Sequence, residues 1–378
     1  MGIEFTAEAQ GTQRRRRECL QHRVHMTRRF SVAALLLLGL CRAQDLAARL
    51  DQQVRAYVER QRFSGSVLVA RDGKALFSKG YGMAIAEWDV PNTPKTKFRL
   101  GSITKQFTAT VVLMLERQGK LKVEDPVSKY MPDAPAAWKK VTIHHLLTHT
   151  SGIPDFTSFP DYMKTMTLPS PAAETVKRFR DKPLEFEPGR RFRYSNSGYL
   201  LLGYLIEKIT GRSYEDLVEK WIFGPLGMKD TGYDHPERIL KNRASGYSSA
   251  GKTLANARYL DMTIPHAAGA LYSTVEDLLV WDQALYTEKL LPAKVLERMF
   301  TPFKDNYAYG WTVRTENNRQ VIGHGGGING FSSMIVRLPQ ERLFAAALSN
   351  LETRDAGRIA NELARLALGE KVDAKLPD

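Results

Sequence analysis

"RLGSITKQFTATVVLMLERQGKL", from Arg99 to Leu121, reads as a buried apolar helix with a polar mouth. Phe107–Leu115 supplies the apolar body, and Ser102-Ile103-Thr104-Lys105 opens it. A serine at a helix start is ordinarily an N-cap. An acid three residues on reinforces a cap, because the helix N-terminus carries positive charge. Here the residue three on is a lysine, which opposes the macrodipole. Positions i and i+3 share a helix face, so the amine can reach the hydroxyl. Partial burial and the positive helix end both lower a lysine pKa and favour the neutral, proton-accepting amine. Backbone N–H groups at the same end can face an oxyanion formed at Ser102. The arrangement suits a nucleophile with its base, although Ser-x-x-Lys alone is short enough to recur by chance.

Outward from this helix, "DLAARLDQQVRAYVERQRF" (Asp45–Phe63) spaces Leu46, Leu50, Val54 and Val58 as a helix does. Two β-rich runs then flank Asp72-Gly73, a pair suited to a two-residue type I′ hairpin turn. The far end mirrors this start. Several short strand-like runs between Tyr307 and Asn350 precede a helix, "DAGRIANELARLALG", with Ile359, Leu363 and Leu366/Leu368 on one side. From about Trp88 to Leu290 helical patterns dominate, among them "TIHHLLTHTSG", "YLLLGYLIEKITG", "SYEDLVEKWIFGPLGM" and "STVEDLLVWDQAL". Ser273 with Glu276 reads as a capping box, and Gly211 as a helix stop. The expected fold is α/β (α+β): one antiparallel sheet built from both chain ends and flanked by terminal helices, plus an all-helical lobe. The α/β lobe is expected over about 44–87 and 291–370 and the helical lobe over about 88–290, with a ligand cleft between them.

The 378 residues are 43% hydrophobic and 25% charged, ordinary values for a globular chain with a sizeable core. No window of about 18 apolar residues exists, so no stable membrane insertion is expected. Residues 1–43 read differently. Arg28 and Arg29 precede an apolar run, Val32–Leu40, and Cys41-Arg42-Ala43 places small residues for a cleavage after Ala43, as in a secretory signal. We read Met26 as the natural start, 1–43 as upstream extension plus signal peptide, and 44–378 as the mature, periplasmic or secreted domain. Lipoprotein anchoring is not expected, because Leu40 stands where a small residue is wanted. Both cysteines, Cys19 and Cys41, fall in the removed segment, which excludes a thiol nucleophile and a cysteine zinc site from the mature chain. Setting aside the eight arginines and three glutamates of 1–43 lowers the net charge from +14 to +9, 47 basic against 38 acidic residues. That excess forms no basic run or nucleic-acid module, so no nucleic-acid partner is expected.

Two further segments supply company for a nucleophile. Tyr194-Ser195-Asn196 follows the Pro188-Gly189 turn and precedes an apolar helix, so a hydroxyl and an amide can project together into a cleft. Alone, the segment reads as a buried tyrosine in a loop. His324-Gly325-Gly326-Gly327 lies between strand-like runs, where glycines weaken a strand unless a backbone or ligand comes close. Alone, it reads as a flexible turn.

Taken in order, Ser-x-x-Lys, Tyr-x-Asn and His-Gly-Gly resemble the serine β-lactamase and penicillin-binding-protein superfamily, in its class C β-lactamase, DD-peptidase and esterase branch. "HLLTHTSGI", "PGRRFRYSNSGY", "FGPLGMKDT" and "GALYSTVEDLLVW" are similar to framing segments of that family, and the resemblance runs from about 48 to 368. It implies an acyl-enzyme on Ser102, with Lys105 and Tyr194 moving protons. It also implies that Asn196 holds Lys105 and the substrate amide, and that the N–H groups of Ser102 and Gly327 form an oxyanion hole. His324 and Gly325–Gly327 would then bind a small-molecule or peptide substrate, an amide or ester, without cofactor or metal. His324 replaces the family's lysine, and a largely neutral histidine suits a substrate carboxylate poorly. The resemblance therefore implies weak or no β-lactamase activity, with a DD-peptidase, D-aminopeptidase or carboxylesterase as alternatives. His145 and His149 are four apart, as metal ligands on a helix can be, but no H-E-x-x-H pattern is present and His149 reads as a loop organiser. The absence of a G-x-S-x-G elbow argues against an α/β-hydrolase. A non-catalytic relative would be expected to lack the serine, lysine or tyrosine.

Overall fold

In the computed structural model of the protein, which describes residues 44–250 and 253–372, Asp72 and Gly73 both sit at positive φ, 51° and 73°. That is the backbone a type I′ turn requires. The turn joins β1 (Gly65–Arg71) to β2 (Lys74–Tyr81). Contacts divide the chain into 1–51 and 52–378. Of the first unit only 44–51 is described, and it is helical; the account below concerns the second. The basic segment, Met26 and the cleavage site after Ala43 lie outside the described residues.

Four strands near the other end, β3 (Thr312–Glu316), β4 (Arg319–Ile328), β5 (Phe331–Leu338) and β6 (Leu343–Ser349), complete a six-stranded sheet in the order β3-β4-β5-β6-β1-β2. Every neighbour is antiparallel, and β1 closes on β6 in a register from Gly65↔Ser349 to Arg71↔Leu343. The sheet is thus built from both chain ends, as expected. β6, Leu-Phe-Ala-Ala-Ala-Leu-Ser, is buried at every residue, the pattern of a strand covered on both faces. Leu68, Ala70, Phe344, Ala346 and Leu348 join one large core with Phe107 and Trp281, and the helix Val275–Ala284 lies against β6 and β1. The alternate residues Val67, Val69, Ala345 and Ala347 are equally buried outside that core. The helix Asp355–Ala367 packs on β5 and β6 and buries Ile359 and Leu363. Alanines in β6 keep both helices close to the sheet.

Helices Ile143–Leu147, Ala172–Arg180 and Asn196–Thr210 occupy the middle of the chain, and Gly211 ends the last at φ 66°. Two local expectations need correction. The cap of Val275–Ala284 is Thr274, whose side chain accepts the Asp277 N–H at 3.1 Å, rather than Ser273 with Glu276. Ser273 instead ends a short strand opposite Phe98, and its hydroxyl lies 2.7 Å from that of Thr231. The helix expected over "SYEDLVEKWIFGPLGM" changes character midway. Tyr214–Val218 is α, Glu219–Phe223 π and Gly224–Leu226 α, with Pro225, which has no N–H to donate, beyond the change. Among the described residues no helix is long and apolar enough to cross a membrane.

Candidate active site

A tight turn, Gly101–Ile103, runs directly into the helix Thr104–Arg117, and no side chain caps either. Ser102 Oγ lies 3.0 Å from Lys105 Nζ, so the serine is engaged with the lysine rather than with the helix end. The helix is buried on all sides from Thr104 to Leu113. Its polar residues are tied down there: Thr108 donates to the Ala267 carbonyl at 2.6 Å, and Gln106 accepts from the Trp281 indole at 3.0 Å. A helix so held fixes the serine at its mouth.

Lys105 has no exposed surface. Its Nζ contacts three oxygens: Ser102 Oγ, Asn196 Oδ1 at 2.9 Å and the Ala268 carbonyl at 2.8 Å. Loss of hydration takes its pKa down to about 7, against the pull of the Asp155 carboxylate, which favours the ammonium. Two of the three partners are carbonyl oxygens that can only accept. A neutral amine donates one hydrogen to each and keeps its lone pair for the serine O–H.

Tyr194 and Asn196 meet this lysine from the start of the helix Asn196–Thr210. His149, at φ 56°, accepts the Ser195 N–H on Nδ1 at 3.1 Å, and its ring lies 4.1 Å from that of Tyr194, centre to centre. His149 is therefore the loop organiser that its sequence position suggested. Asp155 accepts the Asn196 backbone N–H at 3.2 Å and its Nδ2 at 3.3 Å, which turns Oδ1 toward Lys105. It also accepts from Thr157, at N and Oγ1. Burial pushes the Tyr194 hydroxyl well up, and a hydrogen bond with Ser102 offsets this only in part, so the phenol is protonated at neutral pH.

The glycine strand closes the site. Ser333 of β5 donates to the Leu100 carbonyl at 2.7 Å, and a Cβ on Gly326 would stand 1.9 Å from that same oxygen. A Cβ on Gly101, at φ 54°, would meet Gly327 N at 3.0 Å. These glycines let β4 lie against the turn that carries Ser102. β3 pairs with β4 only as far as Gly323, so Gly325–Ile328 has no strand partner on that edge among the described residues. His324 Nδ1 lies 2.5 Å from the Gly325 carbonyl and therefore carries the hydrogen, while Nε2 accepts from the Tyr307 hydroxyl at 2.9 Å. Burial, with Lys105 nearby, lowers its pKa to about 4, so the ring is neutral.

A cavity of about 170 Å³ opens onto Ser102, Asn196 and Gly327. The structure gathers Ser102, Lys105, Tyr194, Asn196 and Gly327. Gly325 and Gly326 run alongside without lining the cavity, and the two ring nitrogens of His324 face other protein groups. Asp155, Tyr307 and the Ala268 carbonyl were missed from sequence. For Asp155 the one signal is an acid set in "SGIPDF" between apolar neighbours. His145 is the third residue of the capping box of Ile143–Leu147, accepting the Thr142 N–H at 3.2 Å. Among the described residues no group of three His, Cys, Asp or Glu is placed to hold a metal ion.

A sequence profile of the family described as Beta-lactamase matches residues 50–369. Penicillin-binding protein 4* of Bacillus subtilis is 33% identical over 318 residues, 78% of this chain and 69% of its own length. The chain spans about two thirds of the length of the curated relatives it matches. Among solved structures, the octameric penicillin-binding protein homologue from Pyrococcus abyssi superposes with a TM-score of 0.75 at 31% identity, over 86% of this chain and 78% of that one. D-amino acid amidase from Ochrobactrum anthropi SV3, complexed with L-phenylalanine amide, gives 0.74 at 26% identity, over 86% and 98%.

Proposed function

Because this chain belongs to the beta-lactamase family and is a serine hydrolase of it, we propose that it cleaves an amide or ester through an acyl-enzyme on Ser102. One observation carries this: Lys105 Nζ is buried among two carbonyl acceptors and the Ser102 hydroxyl, with a pKa of about 7. As Ser102 Oγ bonds to the substrate carbonyl carbon, its proton passes to the Lys105 lone pair. The N–H groups of Ser102 and Gly327 take the developing oxyanion. The C–N or C–O bond then breaks, and Tyr194, still a phenol, passes a proton to the leaving amine or alcohol and recovers one from Lys105. Water enters by the same route in reverse and releases the acid. Asn196 holds Lys105, and the free edge of Gly325–Gly327 lies beside the acyl chain. The neighbours that act on amides favour an amidase or peptidase; the esterase alternative uses the same steps.

The test is covalent labelling of the intact protein by a fluorophosphonate or fluorescent penicillin. Wild type should gain one adduct and Ser102→Ala none; equal labelling of both would remove the assignment. We also place the enzyme outside the cytoplasm, on the signal-like residues 26–43. The mature protein should then begin at Gln44, as N-terminal sequencing of the exported form would read.

A further inference from the structure

No residue lining the cavity at Ser102 carries a charge, among the described residues. Its walls are Phe156, Tyr162, Leu260, Pro265 and Ile328, with Asn329 at one side. The two basic groups at the reacting centre are engaged within the protein. Lys105 has no exposed surface and contacts three oxygens of the protein. Both nitrogens of His324 face Tyr307 and Gly325. Arg258 meets the rim through its backbone carbonyl, which Asn329 Nδ2 reaches at 3.0 Å. Two charged residues stand behind the lining: Lys105, which is turned onto Ser102, Asn196 and the Ala268 carbonyl, and Asp155, whose carboxylate holds Thr157 and Asn196. A carboxylate in this cavity would lose water, meet no cationic side chain in the lining and have the Asp155 carboxylate behind Thr157 and Asn196, each of which is unfavourable.

We propose that the site accepts uncharged acyl groups and disfavours acyl donors that bear a carboxylate. This rests on the serine-hydrolase reading and narrows it to neutral esters and amides. Half-buried Tyr162, Pro265 and Ile328 leave surface for a neutral acyl chain beside the polar groups of Ser102, Thr157, Asn196 and Asn329, and selection against the anion follows from the lack of a charged partner in the lining.

The probes are mono-p-nitrophenyl adipate and its methyl ester, which share a skeleton and differ in one charge. Wild type should show kcat/KM for the methyl ester higher on the order of tenfold or more. Asn329→Lys, which adds a cation at the wall and leaves the reacting groups alone, should shrink that ratio toward one. Both esters are also run as competitors of fluorophosphonate labelling, so that slow turnover still yields the ratio. Equal use of the two esters, or preference for the carboxylate, overturns the proposal while leaving Ser102 labelled. Absence of labelling together with absence of turnover overturns the serine-hydrolase reading, and this proposal with it.

Discussion

At Lys105 the loss of hydration takes the amine to about pKa 7 while the Asp155 carboxylate pulls it upward. If the neutral amine is the base, kcat/KM should fall about tenfold per pH unit below that value as the lone pair is protonated. Asp155→Asn removes the opposing charge, so this acid limb should move to lower pH; a limb that stays in place would reduce Asp155 to a structural role. Lys105→Ala should cost roughly 10²–10⁴ in turnover, and Lys105→Arg should not restore it, because a guanidinium does not give up its proton. The pairing of Ser102 with Lys105 was legible because a lysine is wrong for a cap, whereas Tyr194 and Asn196, which alone read as a loop, were singled out only by the family resemblance. Asp155 and Tyr307 were not. Their partners lie 41 and 17 residues away, and only the folded chain selects them from many polar residues.

Adjacent glycines of β4 differ in their packing. A Cβ on Gly326 would strike the Leu100 carbonyl, whereas one on Gly327 would meet nothing within 4 Å. Gly326→Ala should therefore lower both the melting temperature and activity, by forcing β4 away from the serine turn. Gly327→Ala should leave the melting temperature near wild type, because a Cβ there meets nothing within 4 Å and alternates to the face away from the serine turn. Thermal melts alongside ester turnover separate the two, and equal melting losses would contradict this geometry. The cap of Val275–Ala284 gives a plainer case: Thr274→Ala should cost about 1 kcal/mol in denaturant unfolding, and Glu276→Ala much less. Local chemistry made the Asp72-Gly73 hairpin and the Gly211 stop readable. It misplaced the cap by one residue, because the pairing of Ser273 with Phe98 is tertiary.

For the whole molecule, buried bases tie stability to pH. His266 begins the short helix His266–Gly269 that brings the Ala268 carbonyl to Lys105, and burial lowers its pKa to about 4. An unfolded histidine titrates near 6.5. Between these values the unfolded chain binds the extra proton, so stability rises with pH; it is fully present above about 6.5 and is lost as pH falls toward 4. His324 works in the same direction, whereas Glu207, Asp277 and Asp282, raised by burial, oppose it. His266→Asn isolates one contribution, since asparagine tolerates the φ of 37° and does not titrate. The variant's unfolding free energy should change with pH less steeply than wild type, by about 1.4 kcal/mol per pH unit across this window. Denaturant melts at several pH values between 4 and 7 read the difference directly. Parallel curves would mean that His266 titrates alike in the folded and unfolded chain, with Glu207, 3.7 Å from its Nε2, offsetting the effect of burial.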